Sequence, residues 1–122
     1  MSSDAVARPK ALSPEDLTRL FVEFANARDA EGLAGLYEPD AVVAYPPGKV
    51  TVGRPAIRAL YEQLVATGAR FMPEEPLPTL ILGDLALTAT PARDEAGARA
   101  QVARCQPDGS WLRILDRPDF RA

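Results

Sequence analysis

Of the residue types that carry enzyme chemistry, histidine is missing altogether from this chain of 122 residues. Its absence excludes a Ser-His-Asp or Cys-His nucleophile, a histidine general base, a haem held by histidine and the histidine-containing zinc sites. What chemistry there is must come from carboxylates, tyrosines, arginines, Cys105 or the two lysines, Lys10 and Lys49. A single cysteine makes neither an intramolecular disulfide nor a Cys-only metal site. Cys105 reads more readily as a small buried hydrophobe than as a reactive thiol. No metal and no cofactor is expected.

Among the carboxylates Asp116 stands out. Alternation along residues 110–117 puts Leu112, Ile114 and Asp116 on one face of a strand, with Trp111, Arg113 and Leu115 on the other. If the first set faces an interior, a carboxylate ends an apolar wall, an arrangement suited to a general acid or base. The competing reading pairs Asp116 with Arg113, Arg117 or backbone near the chain end. Glu74 and Glu75 read as solvated, Asp40 as a turn residue, and Arg54 and Arg58 as surface charges. Tyr45, Tyr61, Phe21, Phe24, Phe71 and Met72 are suited to lining an aromatic pocket for a flat apolar ligand. The alternative is that several of them simply form the core.

The elements that must position these residues are legible in part. Residues 1–12 read as a flexible tail, and 13–122 as one domain. Ser13 caps a helix that Pro14 opens, and Leu17, Leu20, Phe21, Phe24 and Ala25 give it an apolar face to about Arg28. Asp29 caps a second, short helix through Leu33, Leu36 and Tyr37 that Pro39 terminates. A strand over 41–45 and a return over 49–52 flank the Pro46-Pro47-Gly48 turn. Pro55 opens a third helix with Ile57, Leu60, Tyr61, Leu64 and Val65 inward, closed by Gly68. Four antiparallel strands follow: one that begins at 70–72, is bent or set at an edge by 73–78 and resumes at 79–82, then 85–90, 98–106 and 110–117, with Gly83-Asp84 as a hairpin turn. The expected class is α+β: a curved antiparallel sheet packed on three helices from the N-terminal half.

With 14 Lys+Arg against 17 Asp+Glu, the net charge is −3 and no basic run occurs, so no nucleic-acid partner is expected. No apolar run approaches the ~20 residues of a membrane helix, and the opening MSSDAVARPKA lacks a signal peptide's apolar stretch. A soluble, cytoplasmic protein with no membrane partner is the expectation.

The run from Leu36 to Gly48, the Val52-Gly53-Arg54-Pro55-Ala56-Ile57-Arg58 opening of the third helix, and the run from Asp108 to Asp116 together resemble the nuclear transport factor 2-like superfamily, in particular its SnoaL-like and ketosteroid-isomerase-like branch. The resemblance spans about residues 13–117 and marks the fold more than any reaction. It implies a cone-like sheet around an apolar pocket, and pairing into a homodimer through the outer sheet face. It also implies positions for the isomerase's catalytic groups. The base position holds Tyr45, the oxyanion tyrosine aligns with Phe21, and the carboxylic acid donor with Gln101. The usual isomerase set is thus absent, and scytalone dehydratase-like chemistry lacks its histidine. An epoxide-hydrolase-like arrangement would need Asp116, an arginine such as Arg99 and a second acid to converge.

The expected function is binding of a small, largely apolar molecule, with isomerase, cyclase or hydrolase acid–base activity left open. Asp116 and Tyr45 are the catalytic candidates, and Phe21, Phe24, Tyr61, Met72 and Gln101 the ligand-binding ones. The alternative is a non-catalytic binding or dimerisation module with a filled cavity.

Overall fold

The computed structural model describes residues 7–93 and 97–120. Helix α1, Pro14–Asn26, starts where the sequence indicates: Ser13 Oγ accepts from the Asp16 N–H, and Glu15 and Asp16 sit in the positive first turn. Its buried stripe of Leu17, Leu20, Phe24 and Ala25 faces the core. Helix α2, Ala30–Ala34, is capped by Asp29, whose carboxylate accepts from the Gly32 N–H at 3.0 Å. Glycine is required at 32, because a Cβ there would lie 2.5 Å from Asp29 Oδ2 and 3.0 Å from Phe24 Cγ.

Strand β1, Tyr37–Val43, begins four residues earlier than the sequence pattern indicates. The second helix stops at Ala34, so Leu36 and Tyr37 are not helical and Pro39 lies within the strand rather than ending a helix. The physical cause is a set of partners distant in sequence: the Arg113 N–H donates to the Leu36 carbonyl at 2.8 Å, and Arg54 Nε and Nη2 donate to the Tyr37 carbonyl at 3.0 and 2.6 Å. Arg54 is therefore a backbone anchor and not a free surface charge. Strand β2, Thr51–Val52, returns beside β1, and helix α3, Arg54–Ala66, buries Ile57, Tyr61 and Val65.

Strands β3 (Leu80–Leu82), β4 (Leu85–Thr90), β5 (Arg99–Cys105) and β6 (Trp111–Arg117) complete a six-stranded sheet in the order β2-β1-β6-β5-β4-β3. The α+β class and the three N-terminal-half helices are as the sequence indicates. The sheet is mixed and open, however, since β1 runs parallel to β6 while every other pair is antiparallel. Residues 70–72 form no strand. There the Asn26 side chain clamps Phe71, donating to its carbonyl at 2.9 Å and accepting from its N–H at 2.8 Å. The segment 70–79 is a strap that runs from Asn26, at the end of α1, to the edge of β4, where the Leu77 N–H donates to the Ala89 carbonyl at 2.8 Å.

The expected flexible tail divides. Residues 1–6 lie outside the described residues, but 8–11 are docked. Arg8 bridges Asp29 and Glu31, Lys10 bridges Asp108, and the buried Ala11 takes the Trp111 N–H on its carbonyl at 2.9 Å. Cys105 is half-buried rather than a core residue. The core proper joins α1, α2, α3 and β1 around Leu20, Leu33, Tyr37, Val43 and Ile57. A Leu or Ile fully buried there contributes about 1.5–3 kcal/mol through area removed from water.

Candidate functional site

Strict alternation in β6 would set Arg113 and Asp116 on opposite faces. They share one. Opposite β5, Leu115 pairs with Val102 and Arg113 with Ala103, so Ile114 is an extra residue without a partner. Such a bulge resets the alternation, and Arg113 and Asp116 both turn inward, with side chains 5% and 2% exposed. The expected apolar wall of Leu112 and Ile114 beside Asp116 is corrected accordingly. A buried guanidinium takes their place.

Tyr37, at the start of β1, and Tyr61, on the inner face of α3, complete the cluster. The Tyr37 hydroxyl donates to Asp116 Oδ2 at 2.5 Å, and lies 2.7 Å from the Tyr61 hydroxyl. Since the Tyr37 proton points to the carboxylate, Tyr61 donates to Tyr37. The result is a relay Tyr61→Tyr37→Asp116, with a short charge-assisted contact at its end. Arg113 Nη1 lies 3.7 Å from Oδ2, an ion-pair separation, and its guanidinium carbon lies 5.5 Å from the Phe21 ring centroid and 6.0 Å from that of Tyr37. Among the described residues, Asp116 Oδ1 and Arg113 Nε are buried without a hydrogen-bond partner.

Burial first, and the Asp116 charge second, push both Tyr37 and Tyr61 above the ordinary phenol value of 10.0. Both stay protonated donors wherever the fold persists. A folded value above the unfolded one gives a stabilisation that is full below pH about 10 and is lost as pH rises through the folded value. A Tyr45→Phe protein should therefore show no phenolate absorbance at pH about 11 until it unfolds, at which point both remaining tyrosines ionise together. Phenolate appearing before loss of the circular dichroism signal would contradict this burial.

The cluster borders a cavity of about 540 Å³, walled by Phe21, Leu60, Leu64 and Phe71, with Val43, Thr90 and Gln101 on the sheet side. Phe21 meets Tyr61 edge-on at 5.5 Å and Phe71 edge-on at 5.9 Å, so α1, α3 and the strap share one aromatic wall. Two further recesses of about 490 and 540 Å³ are bordered by no buried titratable side chain among the described residues.

Six of the seven residues singled out from sequence border this cavity: Asp116, Tyr45, Phe21, Tyr61, Met72 and Gln101. Of these six, Tyr45 and Met72 are exposed, at 38% and 75%. Phe24 does not border it. One helical turn beyond Phe21, its ring packs beside Gly32 in the core and borders a different recess. The hydroxyl on Asp116 is that of Tyr37, a residue sequence reasoning misses because its helical spacing with Leu33 and Leu36 places it in the second helix. Arg99 borders the same cavity as Asp116. It bridges Glu74 at 2.9 Å across the strap, which makes Glu74 a half-buried partner rather than a solvated charge.

Among the described residues no group of three His, Cys, Asp or Glu side chains is placed to hold a metal, and no helix is long and apolar enough to cross a membrane.

A model of the SnoaL-like domain family matches residues 18–112. A solved structure from Thiobacillus denitrificans, a candidate calcium/calmodulin-dependent protein kinase type II association domain, superposes with a TM-score of 0.70 at 20% identity, covering 91% of this chain and 98% of that one. A candidate dehydratase of the NTF2-like family from Streptomyces avermitilis gives 0.65 at 18%, covering 87% and 93%. A ketosteroid isomerase-like protein from Erwinia carotovora atroseptica gives 0.63 at 18%, covering 84% and 89%. At these identities the likeness is one of fold. No curated protein sequence matches the chain.

Proposed function

The chain belongs to the SnoaL-like domain family, and from that premise we propose that the cavity beside Asp116 holds a small, largely apolar molecule on which Asp116 performs acid–base chemistry. One observation carries the reading. Asp116 is buried at the wall of an aromatic cavity, with Oδ2 fixed by Tyr37 and Oδ1 taken by none of the described residues. A buried carboxylate oxygen left without a donor costs about 1–3 kcal/mol, and a site retains such a cost where a ligand relieves it. The proton transfer is balanced within the site. Oδ1 takes a proton from the bound molecule and returns it at another atom, as isomerisation, ring closure or elimination requires. Arg113 supplies the counter-charge, and Tyr37 fixes the carboxylate's orientation. Tyr45, on the exposed side, contacts the outer end of the ligand.

Acetylnaphthalene serves as a flat test ketone. Incubated with the protein in heavy water, its acetyl protons should exchange faster than in protein-free buffer, as read by proton NMR. Exchange no faster than in buffer overturns the acid–base reading.

Self-association is part of the same proposal. On the sheet's outer face the register aligns Leu80, Leu87, Val102, Leu115, Val42 and Val52 in one row across all six strands. Four of them are 41–65% exposed. An isologous contact lays such a row on its own copy, covering both at once. The protein should sediment as a homodimer, and Leu87→Lys with Leu115→Lys should shift it to monomer. A wild-type monomer at micromolar concentration would contradict the pairing.

A further inference from the structure

Gln101 and Asp116 face each other across β5 and β6 and both border the cavity. Directly opposed residues of an antiparallel pair hold their Cβ atoms about 5 Å apart, so a donor on one and an acceptor on the other would meet one small group of a ligand. Which end of the Gln101 amide is presented depends on what holds the other end. Thr88, the next residue in the same cross-strand row, is 5% exposed and does not border the cavity. Its Oγ1 donates to Gln101 Oε1 at 2.8 Å, while the Gln101 backbone carbonyl stands 3.5 Å away. One hydroxyl proton serves one acceptor well, and the shorter, side-chain contact takes it.

We propose that Thr88 is a positioning residue that sets the hydrogen-bond polarity of the cavity: by engaging the Gln101 amide oxygen it leaves the amide N–H bonds beside Asp116. The bound molecule then carries an acceptor oxygen of the carbonyl class next to the atom that Asp116 Oδ1 addresses. A group with only an N–H donor at that point leaves the Gln101 amide N–H bonds without an acceptor, and is disfavoured. The inference rests on the reading of the cavity as a ligand site, and adds to it the ligand's polarity and a residue that enforces it from outside the cavity.

Two probes on the same naphthalene frame separate these levels. Ethylnaphthalene reports the apolar site alone, and acetylnaphthalene adds one carbonyl oxygen. The wild-type protein should bind the ketone about fivefold more tightly than the hydrocarbon, the worth of one net hydrogen bond. Thr88→Val, of equal volume and outside the cavity, should erase that preference and leave hydrocarbon affinity unchanged; Gln101→Leu should erase the preference too. Thr88→Ser, which keeps the hydroxyl, should restore it. A merely structural role for Thr88 would move both probes together. In the unsubstituted protein, the Gln101 side-chain amide resonances should shift with the ketone and not with the hydrocarbon, a readout that needs no variant.

Hydrocarbon binding without a ketone preference, or a preference that survives Thr88→Val, overturns the inference while the ligand site stands. If neither probe binds, the inference falls together with the ligand site beneath it.

Discussion

Replacing Asp116 by asparagine should slow proton exchange on the bound ketone by about 10²–10⁴-fold, the usual contribution of a positioned acid–base group. Asparagine keeps the shape and keeps an oxygen for the Tyr37 hydroxyl, which donates at 2.5 Å in the native site. What it removes is the basic oxygen. The binding of ethylnaphthalene should therefore change little while exchange is lost, separating binding from chemistry. Tyr37→Phe gives the complementary result. The base remains but its orientation is no longer fixed, and the loss should be intermediate. An Asp116→Asn protein that exchanged at the native rate would remove Asp116 from the chemistry.

The largest effect on stability should come from Arg113→Met. The guanidinium is 5% exposed, lies 3.7 Å from Asp116 Oδ2 and packs against the faces of Phe21 and Tyr37. Methionine fills much of the volume but leaves the carboxylate buried without its counter-charge. Removing one partner of a buried pair costs about 3–5 kcal/mol, which for a domain of this size lowers Tm by roughly 10–20 °C. The double variant with Asp116→Asn should be more stable than the sum of the two single losses predicts, because neither charge is then left alone. Additive losses would indicate that the two side chains do not compensate each other. Surface pairs such as Arg19 with Glu23, both more than half exposed, should show nothing comparable.

Where a feature is set by local spacing and caps, it is legible in the sequence. Ser13-Pro14 and the apolar stripe behind it define α1, Gly53-Arg54-Pro55 opens α3, and Gly83 with a φ of 60° turns β3 into β4. Where the outcome depends on a partner distant in sequence, it is not. Leu33, Leu36 and Tyr37 have helical spacing, yet the backbone of β6 holds Leu36 outside the helix and the Arg54 side chain anchors Tyr37 at the start of a strand. That single displacement hides Tyr37 from a sequence reading and with it the hydroxyl on Asp116. The bulge at Ile114 works the same way. Period-two alternation cannot register an extra residue, so the inward turn of Arg113 is visible only once β5 lies beside β6. Asp116 itself is found from sequence because its burial does not depend on how the alternation is reset before it.

Everything proposed for Asp116, Gln101 and Thr88 depends on a small apolar molecule sitting in the cavity between Phe21, Tyr61, Phe71 and Asp116. Titrating acetylnaphthalene into the isotope-labelled protein and mapping the amide shifts would locate it. The shifts should concentrate on α1 around Phe21, on α3 around Tyr61, on the strap at Phe71, and on β5 and β6 at Gln101 and Asp116. Shifts confined to the outer row of Leu80, Leu87 and Leu115, or no saturable shifts at all, would contradict that placement.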